Sequence, residues 1–506
     1  MSECLLYATK TFCPRCTLVE RRGLHLTDAQ VVSKPDNKVY LKSLCSRHPS
    51  QYTLYCSSLS FFNRILSYTT DSIDKKLNQD IEDICQRYSQ LQIQQQQQQP
   101  TTQQPNNSNN NNTNNANTSL IIELNIYQNS IFLNDETICS NIKQFQSLYP
   151  KNRKFSLKVM AKGSNDVQTI NNKVIYIASL LKGYPILVEV TVERLNMIGN
   201  LANSCFLLGK VYPALKYFLK QGDEELFIKD MHRLLAILGQ YNGIQAVITV
   251  ALERKFANLH SILELLRSKN EVIRIIILSL ERPPKEIVSS LQKKMVIQGN
   301  QVSSSTSSTT ASSLTLEDAE STDLQINCND PYELIQEIER ATDKSISSDD
   351  FFPVNVGSAL EPMLNLMGYG MFSIRPSPFC GFATLLINTD TIHSRPINKL
   401  FNIGKFYRDL QPLLPSLEEK IGFFNGLRLK SIIKSCHWDN VPIPNIFDYF
   451  TDRAKADITK RVIDQTQILI IHNNMDIAAL DLRRRCNCAV STKTKDGFVS
   501  SCTGCI

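Results

Sequence analysis

The sequence predicts an α/β protein whose central part is a closed or partly closed barrel of alternating strands and helices. Three observations support this prediction. Apolar runs of strand length alternate with amphipathic stretches of helix length, two low-complexity tracts bound the alternating region, and cysteine-rich segments lie near both ends of the 506-residue chain. Strand followed by helix, repeated in order, is typical of a parallel sheet with crossover helices. We therefore expect a central α/β unit flanked by two cysteine-containing regions, the second of them α+β.

The alternation predicts individual elements. The predicted strands are "FSLKVMA" (155–161), "PILVEVTVE" (185–193), "IQAVITVAL" (244–252) and "VIRIIILSL" (272–280). The predicted helices are "NKVIYIASLLKGY" (172–184), "DMHRLLAILGQYNG" (230–243) and "HSILELLRSKN" (260–270). Short, nearly continuous apolar runs are typical of strands buried on both faces of a parallel sheet.

Two tracts rich in Gln, Asn, Ser and Thr, residues 94–117 and 303–313, predict linkers. Such residues bury too little apolar surface to offset the entropy cost of ordering the chain. The predicted organisation is an N-terminal metal-knuckle domain (1–66), a helical connector (67–93), an Asn/Gln-rich disordered linker (94–117), the barrel (118–300), a Ser/Thr-rich linker (301–326) and a C-terminal domain with a cysteine cluster (327–506).

The composition of the chain limits the classes of protein to which it can belong. The chain shows neither a secretory leader at its start nor a run of about 20 apolar residues, so we expect a cytoplasmic protein without a membrane span. In a reducing compartment its 15 cysteines are expected to be metal ligands, iron–sulfur ligands or buried thiols rather than disulfides. The net charge of +7 is spread thinly, and Arg483, Arg484 and Arg485 are expected to form a solvated face. Nucleic acid is therefore not the expected partner.

The N-terminal cysteines predict a metal site. Cys13 and Cys16 have the C-x-x-C spacing, and Cys45 follows after a predicted hairpin. The fourth ligand is either His48 or Cys56. Four such ligands satisfy a tetrahedral ion, with sulfur about 2.3 Å from the metal. We expect zinc or iron here, in a structural rather than a catalytic role.

A second cysteine group lies near the C-terminus. Cys486, Cys488, Cys502 and Cys505 surround "TKTKDG", a predicted hairpin turn. Four thiolates on two short loops suit zinc or an iron–sulfur cluster. Cys380, in "PSPFCGFATLL", is either a lone metal ligand or a packed thiol.

Several segments together resemble a known family. "TKTFCPRC", "KVYLKSLCSRHP" and "TLYCSS" near the start, "DPYELIQEIERATDKSISSDDFFPVNV" and "PSPFCGFATLLINTDTIHSRPINKLF" later, and "DIAALDLRRRCNCAVSTKTKDGFVSSC" at the end are similar to radical S-adenosylmethionine (SAM) proteins. Within that family, the segments resemble the group of tetraether lipid synthase and the 7,8-dihydro-6-hydroxymethylpterin methyltransferase. The resemblance implies a partial (β/α) barrel and, if the C-terminal thiolates hold an iron–sulfur centre, an auxiliary cluster there.

The sequence departs from this family where the chemistry should take place. The family's C-x-x-x-C-x-x-C loop, whose three thiolates leave one iron of a [4Fe–4S] cluster open for SAM, occurs nowhere. The resemblance implies that "SLIIEL" (119–124) is the first barrel strand. The stretch after it, "NIYQNSIFLNDETIC", has no cysteine before Cys139. The family's Gly-Gly-Glu-Pro segment, which binds the SAM ammonium, is replaced by Lys162, Gly163, Ser164 and Asn165. These departures predict a degenerate radical-SAM-type barrel.

Three functions are compatible with this pattern. The first is a metal-binding protein that does not cleave SAM, has no catalytic residues and acts as a scaffold or as a partner of another protein. The second is an active radical SAM methyltransferase or C–C coupling enzyme on a pterin or lipid-like substrate, with SAM and an unusually ligated [4Fe–4S] cluster. The third is a zinc-ribbon adaptor that binds nucleic acid. We favour the first.

Overall fold

A large, mostly parallel sheet forms the centre of the protein, and a separate four-stranded antiparallel sheet lies against it. This architecture is seen in a computed structural model of the chain. The residues that the structure describes are 3–13, 16, 26–68, 121–148, 153–195, 197–199, 211–241, 245–253, 259–280, 330–357, 371–372, 376–388, 394–414, 423–436, 466–475, 480–486, 488, 490–494 and 497–500.

The N-terminal sheet consists of four strands in chain order, β1 to β4. They are β1 (Cys4–Phe12), β2 (Leu26–Ser33), β3 (Val39–Leu44) and β4 (Gln51–Cys56). Phe12 lies opposite Leu26, and Leu44 lies opposite Asp28. The last residues of β1 and β3 therefore leave the sheet at the same end, a placement that decides the geometry of the site described below.

Helix α1 (Leu59–Leu66) follows the fourth strand and joins this sheet to the rest of the molecule. It begins at Ser58, whose side chain accepts a hydrogen bond from the backbone N–H of Phe61, as helix N-caps do. Phe61, Phe62 and Ile65 on one face of the helix are buried. These residues belong to the same apolar core as the central sheet, so the two sheets share one core.

The central sheet contains six parallel strands that are neighbours in chain order. These strands are β5 (Ile121–Asn125), β9 (Ser156–Met160), β10 (Ile186–Val190), β11 (Val211–Leu219), β12 (Ala246–Leu252) and β13 (Ile273–Leu280). The intervening helices are α2 (Asp135–Leu148), α3 (Val167–Leu180), α4 (Glu224–Leu238) and α5 (Leu259–Arg267). Parallel neighbours require crossover connections, and these are usually helices.

All four helices cover the same face of the sheet. Ile142 of α2, Val174 of α3, Phe227 of α4 and Ile262 of α5 lie in one buried cluster with alternate residues of the strands, such as Leu157. The intervening strand residues face the other side of the sheet, because successive residues of a strand point to opposite sides. That second face carries Glu123, Lys158 and Glu189 on the neighbouring strands β5, β9 and β10.

The prediction of alternating strands and helices is confirmed, but the described strands do not form a closed barrel. Strands β5 and β13, which would have to meet, are each hydrogen-bonded to a strand from the C-terminal part of the chain: β19 (Val490–Thr494) pairs with β5, and β18 (Thr466–His472) pairs with β13. The sheet therefore continues outward at both edges instead of closing. A mixed α/β fold with a large, parallel-rich open sheet is what the structure shows.

The remaining elements lie around this frame. The strands are β6 (Tyr127–Gln128), β7 (Ile131–Phe132), β8 (Arg153–Lys154), β14 (Phe352–Pro353), β15 (Met371–Phe372), β16 (Gly381–Asn388), β17 (Ser394–Pro396) and β20 (Gly497–Ser500). The helices are α6 (Pro331–Ala341), α7 (Ile403–Leu410), α8 (Phe423–Cys436) and α9 (Leu482–Cys486). Among the helices of the described ranges, none is both long enough and apolar enough to cross a membrane.

Candidate metal centre

Three cysteines and one histidine meet at the end of the N-terminal sheet where β1 and β3 finish. Cys13 directly follows β1, and Cys45 directly follows β3. His48 lies in the turn between β3 and β4. Since the register places the ends of β1 and β3 together, both cysteine-bearing loops converge at this position. Among the described residues, this is the one group of three or more Cys, His, Asp or Glu side chains arranged to hold a metal ion.

The distances fit a single tetrahedral ion. His48 Nδ1 lies 3.5 Å from the Sγ atoms of Cys13, Cys16 and Cys45. The Sγ atoms of Cys16 and Cys45 are 3.8 Å apart. A tetrahedral zinc ion with Zn–S of about 2.3 Å and Zn–N of about 2.0–2.1 Å requires S···N distances of about 3.5 Å and S···S distances of about 3.8 Å. The four side chains therefore form a possible Cys₃His metal site.

The same distances favour one ion over an iron–sulfur cluster at this position. In a [4Fe–4S] cluster each cysteine sulfur binds a different iron, so the ligand atoms are spread around the cluster. Here all four ligand atoms lie within 4.8 Å of one another. Zinc and a single iron ion both suit three thiolates and one imidazole.

The three thiols differ in acidity. Burial raises the pKa of Cys13 and of Cys16 above the usual thiol value. Burial acts in the same direction on Cys45, but hydrogen bonds from the backbone of Arg47 and from His48 outweigh it and lower its pKa to about 7. Because a metal binds thiolates, binding must displace protons from Cys13 and Cys16. The site is therefore expected to bind metal more weakly as the pH falls.

Cys56, the alternative fourth ligand, lies at the other end of the sheet. It is the last residue of β4 and pairs with Val39, the first residue of β3. Its Sγ atom donates to the carbonyl oxygen of Ser58 at 3.4 Å. Burial and the nearby Asp330 carboxylate raise its pKa well above the usual value, which favours the neutral thiol. The structure thus brings His48, and not Cys56, to the other three ligands.

Of the four C-terminal cysteines, Cys488 is the one whose side chain the structure describes. Cys488 is buried, and its Sγ atom donates to the carbonyl oxygen of Val490 at 3.1 Å. Cys486 is the last residue of α9, but its side chain lies outside the described residues, as do Cys502 and Cys505. A metal or cluster site formed by these four cysteines stays a prediction.

Cys380 is buried in the turn before β16, close to the same C-terminal segment. Its Sγ atom is 4.0 Å from the carbonyl oxygen of Arg484. Burial raises its pKa to about 11, partly offset by the positive charge of Arg484, and Cys488 is close enough to add to the increase. Both interpretations of this residue, ligand and packed thiol, stay open.

A buried carboxylate attaches the metal-bearing sheet to the C-terminal segment, and no sequence motif indicated it. Asp481, with no exposed surface, accepts hydrogen bonds from the hydroxyl groups of Tyr7 (2.8 Å), Thr9 (2.7 Å) and Tyr55 (2.9 Å). The backbone N–H of Arg483 adds a fourth donor at 2.9 Å. Hydrogen bonds to a charged acceptor are stronger than those between neutral groups. This contact, which we call the Asp481 clasp, fixes β1 and β4 on the residues just before α9.

An apolar cluster next to the clasp continues this contact toward the metal ligands. Phe12, the neighbour of Cys13, is fully buried against Leu480, Leu482 and Cys488. The N-terminal metal site and the C-terminal cysteine segment are therefore packed against adjoining parts of one interface.

The loop after β5 contains a hairpin where the family resemblance would place three cysteines. Strands β6 and β7 pair through a turn at Asn129 and Ser130, both of which have positive φ. Two consecutive residues with positive φ are typical of a type I′ turn, which matches the twist of paired strands. Cys139, the first cysteine after β5, lies within α2 rather than in this loop. No protein-family model matches this chain, and no curated protein matches it either.

Proposed function

We propose that this protein is a metal-binding scaffold in which one zinc or iron ion, held by Cys13, Cys16, Cys45 and His48, fixes the N-terminal sheet. The observation that carries the proposal is the equal distance of 3.5 Å from His48 Nδ1 to three sulfur atoms. The role is structural, because four protein ligands complete a tetrahedral shell and leave no open position for a substrate or water.

We further propose that the central sheet is a radical-SAM-like partial barrel. Its six parallel strands follow one another in chain order, and α2 to α5 all cover one face, which supports a singly wound arrangement. A barrel wound in this way places its helices outside and leaves the other face of the sheet inside. The resemblance of the N-terminal and C-terminal segments to that family is the second support for this proposal.

In this proposal the barrel does not cleave SAM. The loop after β5 carries the β6–β7 hairpin and no cysteine, so three thiolates for a SAM-binding cluster are not available there. In the loop after β9, the stretch Lys162–Asn165 lacks the family's carboxylate, and the guanidinium of Arg194 donates to the side chain of Asn165 at 3.4 Å. A cation at this position would repel the ammonium group of SAM. Loss of the ligands with retention of the strands supports a scaffold or partner protein.

Metal analysis tests the ion. Purified protein should contain one equivalent of zinc or iron at the N-terminal site, and Cys13→Ser should lose that equivalent. Cys4→Ser is the matched control because Cys4 is exposed and lies outside the ligand group. Substitution with Co²⁺ should give the visible bands of a tetrahedral ion with thiolate ligands. Equal metal content in the Cys13 and Cys4 variants would rule out this site.

Reconstitution tests the absence of SAM chemistry. The protein is incubated anaerobically with iron and sulfide, and then with SAM and a reductant. We expect no 5′-deoxyadenosine above a protein-free control. Formation of 5′-deoxyadenosine would show that a SAM-binding cluster is assembled by other ligands, and it would replace the scaffold proposal by the enzyme alternative.

A further inference from the structure

Arg194 is a buried cation at the edge of the central sheet. It lies in a short 3₁₀ turn, Val192–Arg194, directly after β10, and only 8% of its surface is exposed. A guanidinium group stays charged at any physiological pH. Burying a charge is costly unless an opposite charge or several hydrogen bonds compensate it.

Within the described part of the chain, no carboxylate forms an ion pair with Arg194, although the charge of Arg194 helps to lower the pKa of the adjacent Glu193. Its side chain makes a single hydrogen bond, from Nε to Asn165 Oδ1, at a long 3.4 Å. The contrast with Lys158, on the neighbouring strand β9, is clear, because Lys158 Nζ lies 3.1 Å from both Glu123 and Glu189. No hydrogen bond to another described residue engages the terminal nitrogens of Arg194, so these donors can bind a ligand.

The position of Arg194 is one where α/β proteins bind ligands. The loops after β9 and β10 leave the sheet at the same edge, because these strands are parallel neighbours. In sheets of this kind, ligands bind beyond the carboxyl ends of the strands. The nearest acidic residue in the β9 loop, Asp166, is already bound, since its carboxylate accepts from Thr169 N (3.0 Å) and Thr169 Oγ1 (2.6 Å).

We propose that Arg194 and Asn165 bind an oxyanion, the carboxylate or phosphate group of a small ligand. The two terminal nitrogens of a guanidinium can donate in parallel to two oxygens of such a group. The Asn165 amide can add a donor through its Nδ2, and exposed Lys162 in the same loop adds positive charge. This site is independent of the metal ion, so it goes beyond the scaffold role.

Anion titration of the intact protein tests the site. Thermal unfolding and calorimetry are measured with inorganic phosphate and with acetate, at constant ionic strength. At least one of the two should bind saturably and raise the unfolding midpoint. Arg194→Gln should weaken this binding by about tenfold or more, and Arg194→Lys by less, because lysine retains the charge but loses the paired donors. Arg395→Gln, at an exposed position on β17, should bind as the unaltered protein does.

The pH dependence separates the two anions. Phosphate gains its second negative charge between about pH 6 and pH 8, so phosphate binding should strengthen over that range, whereas acetate binding should not change. Saturation by acetate alone would assign a carboxylate ligand, and saturation by phosphate with this pH dependence would assign a phosphate ligand.

Two results would overturn the proposal. One is the absence of saturable binding of either anion, or equal binding by Arg194→Gln. The other is a lower unfolding temperature in a buffer poor in anions. There we expect Arg194→Gln to unfold at the same or a higher temperature than the unaltered protein, because a buried cation without an ion pair has been removed. A clearly lower midpoint under those conditions would show that Arg194 serves the fold and not a ligand.

Discussion

The N-terminal sheet and the central sheet are stabilised in different ways. The six parallel strands and helices α2 to α5 pack through one extensive apolar cluster, in which residues such as Phe227 and Leu157 are completely buried. Strand β1 of the N-terminal sheet is exposed or half-buried along much of its length. At that sheet the Cys₃His group and the Asp481 clasp supplement a smaller apolar contact through α1.

This difference indicates that one region can unfold while the other stays folded. Apolar packing is distributed over many contacts, so one substitution removes a small part of it. Metal ligation and a buried carboxylate concentrate stabilisation in a few atoms, and a single change can remove it. We therefore expect the N-terminal sheet to be lost by changes that leave the central sheet folded.

Loss of the metal should have the largest effect. Structural zinc contributes about 10–16 kcal/mol of binding free energy in zinc-finger peptides. Cys16→Ser, or a strong chelator, should therefore raise amide hydrogen exchange at the ends of β1 and β3 and in the turn that carries His48. Exchange in β9 and β12 should stay slow, because those strands are buried in the apolar core.

Cys4→Ser is again the control, since the exposed Cys4 lies at the opposite end of β1. Increased exchange in β9 and β12 to the same extent as in β1 would contradict the comparison. It would mean that the metal stabilises the whole shared core and not one end of the N-terminal sheet.

Removal of the clasp should have the second largest effect. Asp481→Ala leaves the hydroxyl groups of Tyr7, Thr9 and Tyr55 without their acceptor in a buried interface. Because these buried polar groups lose their partner, we expect the free energy of unfolding to fall by an amount toward the upper end of about 3–5 kcal/mol. Denaturant unfolding of metal-loaded protein measures this loss.

Asp349→Ala provides the matched comparison for the clasp, because the Asp349 side chain is 82% exposed and its carboxylate lies 3.9 Å from the partly exposed Arg64. Exposed ion pairs contribute about 0–1 kcal/mol. If the two alanine variants lost the same free energy, the Asp481 network would not be what holds the N-terminal sheet in place.

In the central sheet, Lys158→Met should have a somewhat smaller effect. Burial lowers the pKa of Lys158, but the carboxylates of Glu123 and Glu189 outweigh burial and raise it above its usual value. Without the ammonium group two carboxylates face each other, and we expect a loss toward the lower end of about 3–5 kcal/mol, because all three side chains keep some exposed surface. The triple variant with Glu123→Gln and Glu189→Gln should recover much of it. No recovery would mean that Lys158 acts through packing alone.

The sequence was sufficient to predict four buried strands of the central sheet. β9, β10, β12 and β13 each carry a nearly continuous apolar run, and each predicted segment overlaps the observed strand. β11 was not predicted, because Pro213 and Lys216 interrupt its apolar pattern. The sheet edges could not be predicted either, since β18 and β19 pair with strands that lie almost 200 residues or more away in the chain.

For the metal site, cysteine spacing identified three ligands but could not choose the fourth. That choice depends on strand register, which places His48 beside Cys45 and Cys56 at the far end of β4. The Asp481 clasp had no local signal at all. Tyr7, Thr9 and Tyr55 lie more than 400 positions from Asp481, so only the folded chain brings them together.

Asp330 links the two regions and should show the smallest of these effects, as a dependence of stability on pH. It is the N-cap of α6, and its carboxylate accepts from Tyr332 N and, across the boundary, from Ser57 N just after β4, both at 3.0 Å. Burial raises its pKa from the usual 3.8 to about 6. The folded protein therefore binds this proton more tightly than the unfolded chain does. Between about pH 6 and pH 4, acidification should add at most about 3 kcal/mol through this group, and the contribution is lost as the pH rises through 6.

Asp330→Asn isolates that contribution, because the amide keeps one acceptor oxygen but does not titrate. The difference in unfolding free energy between the unaltered protein and Asp330→Asn should grow as the pH is lowered from 7 toward 4, whereas other acid-sensitive groups cancel in the difference. A difference that is constant over this range would show that Asp330 titrates normally and is better solvated than its burial at 1% exposure implies. In that case the contact between Ser57 and Asp330 of α6 would be less tightly packed than the apolar core beside it. The N-terminal sheet would then separate from the rest of the protein at Ser57 rather than at the metal site.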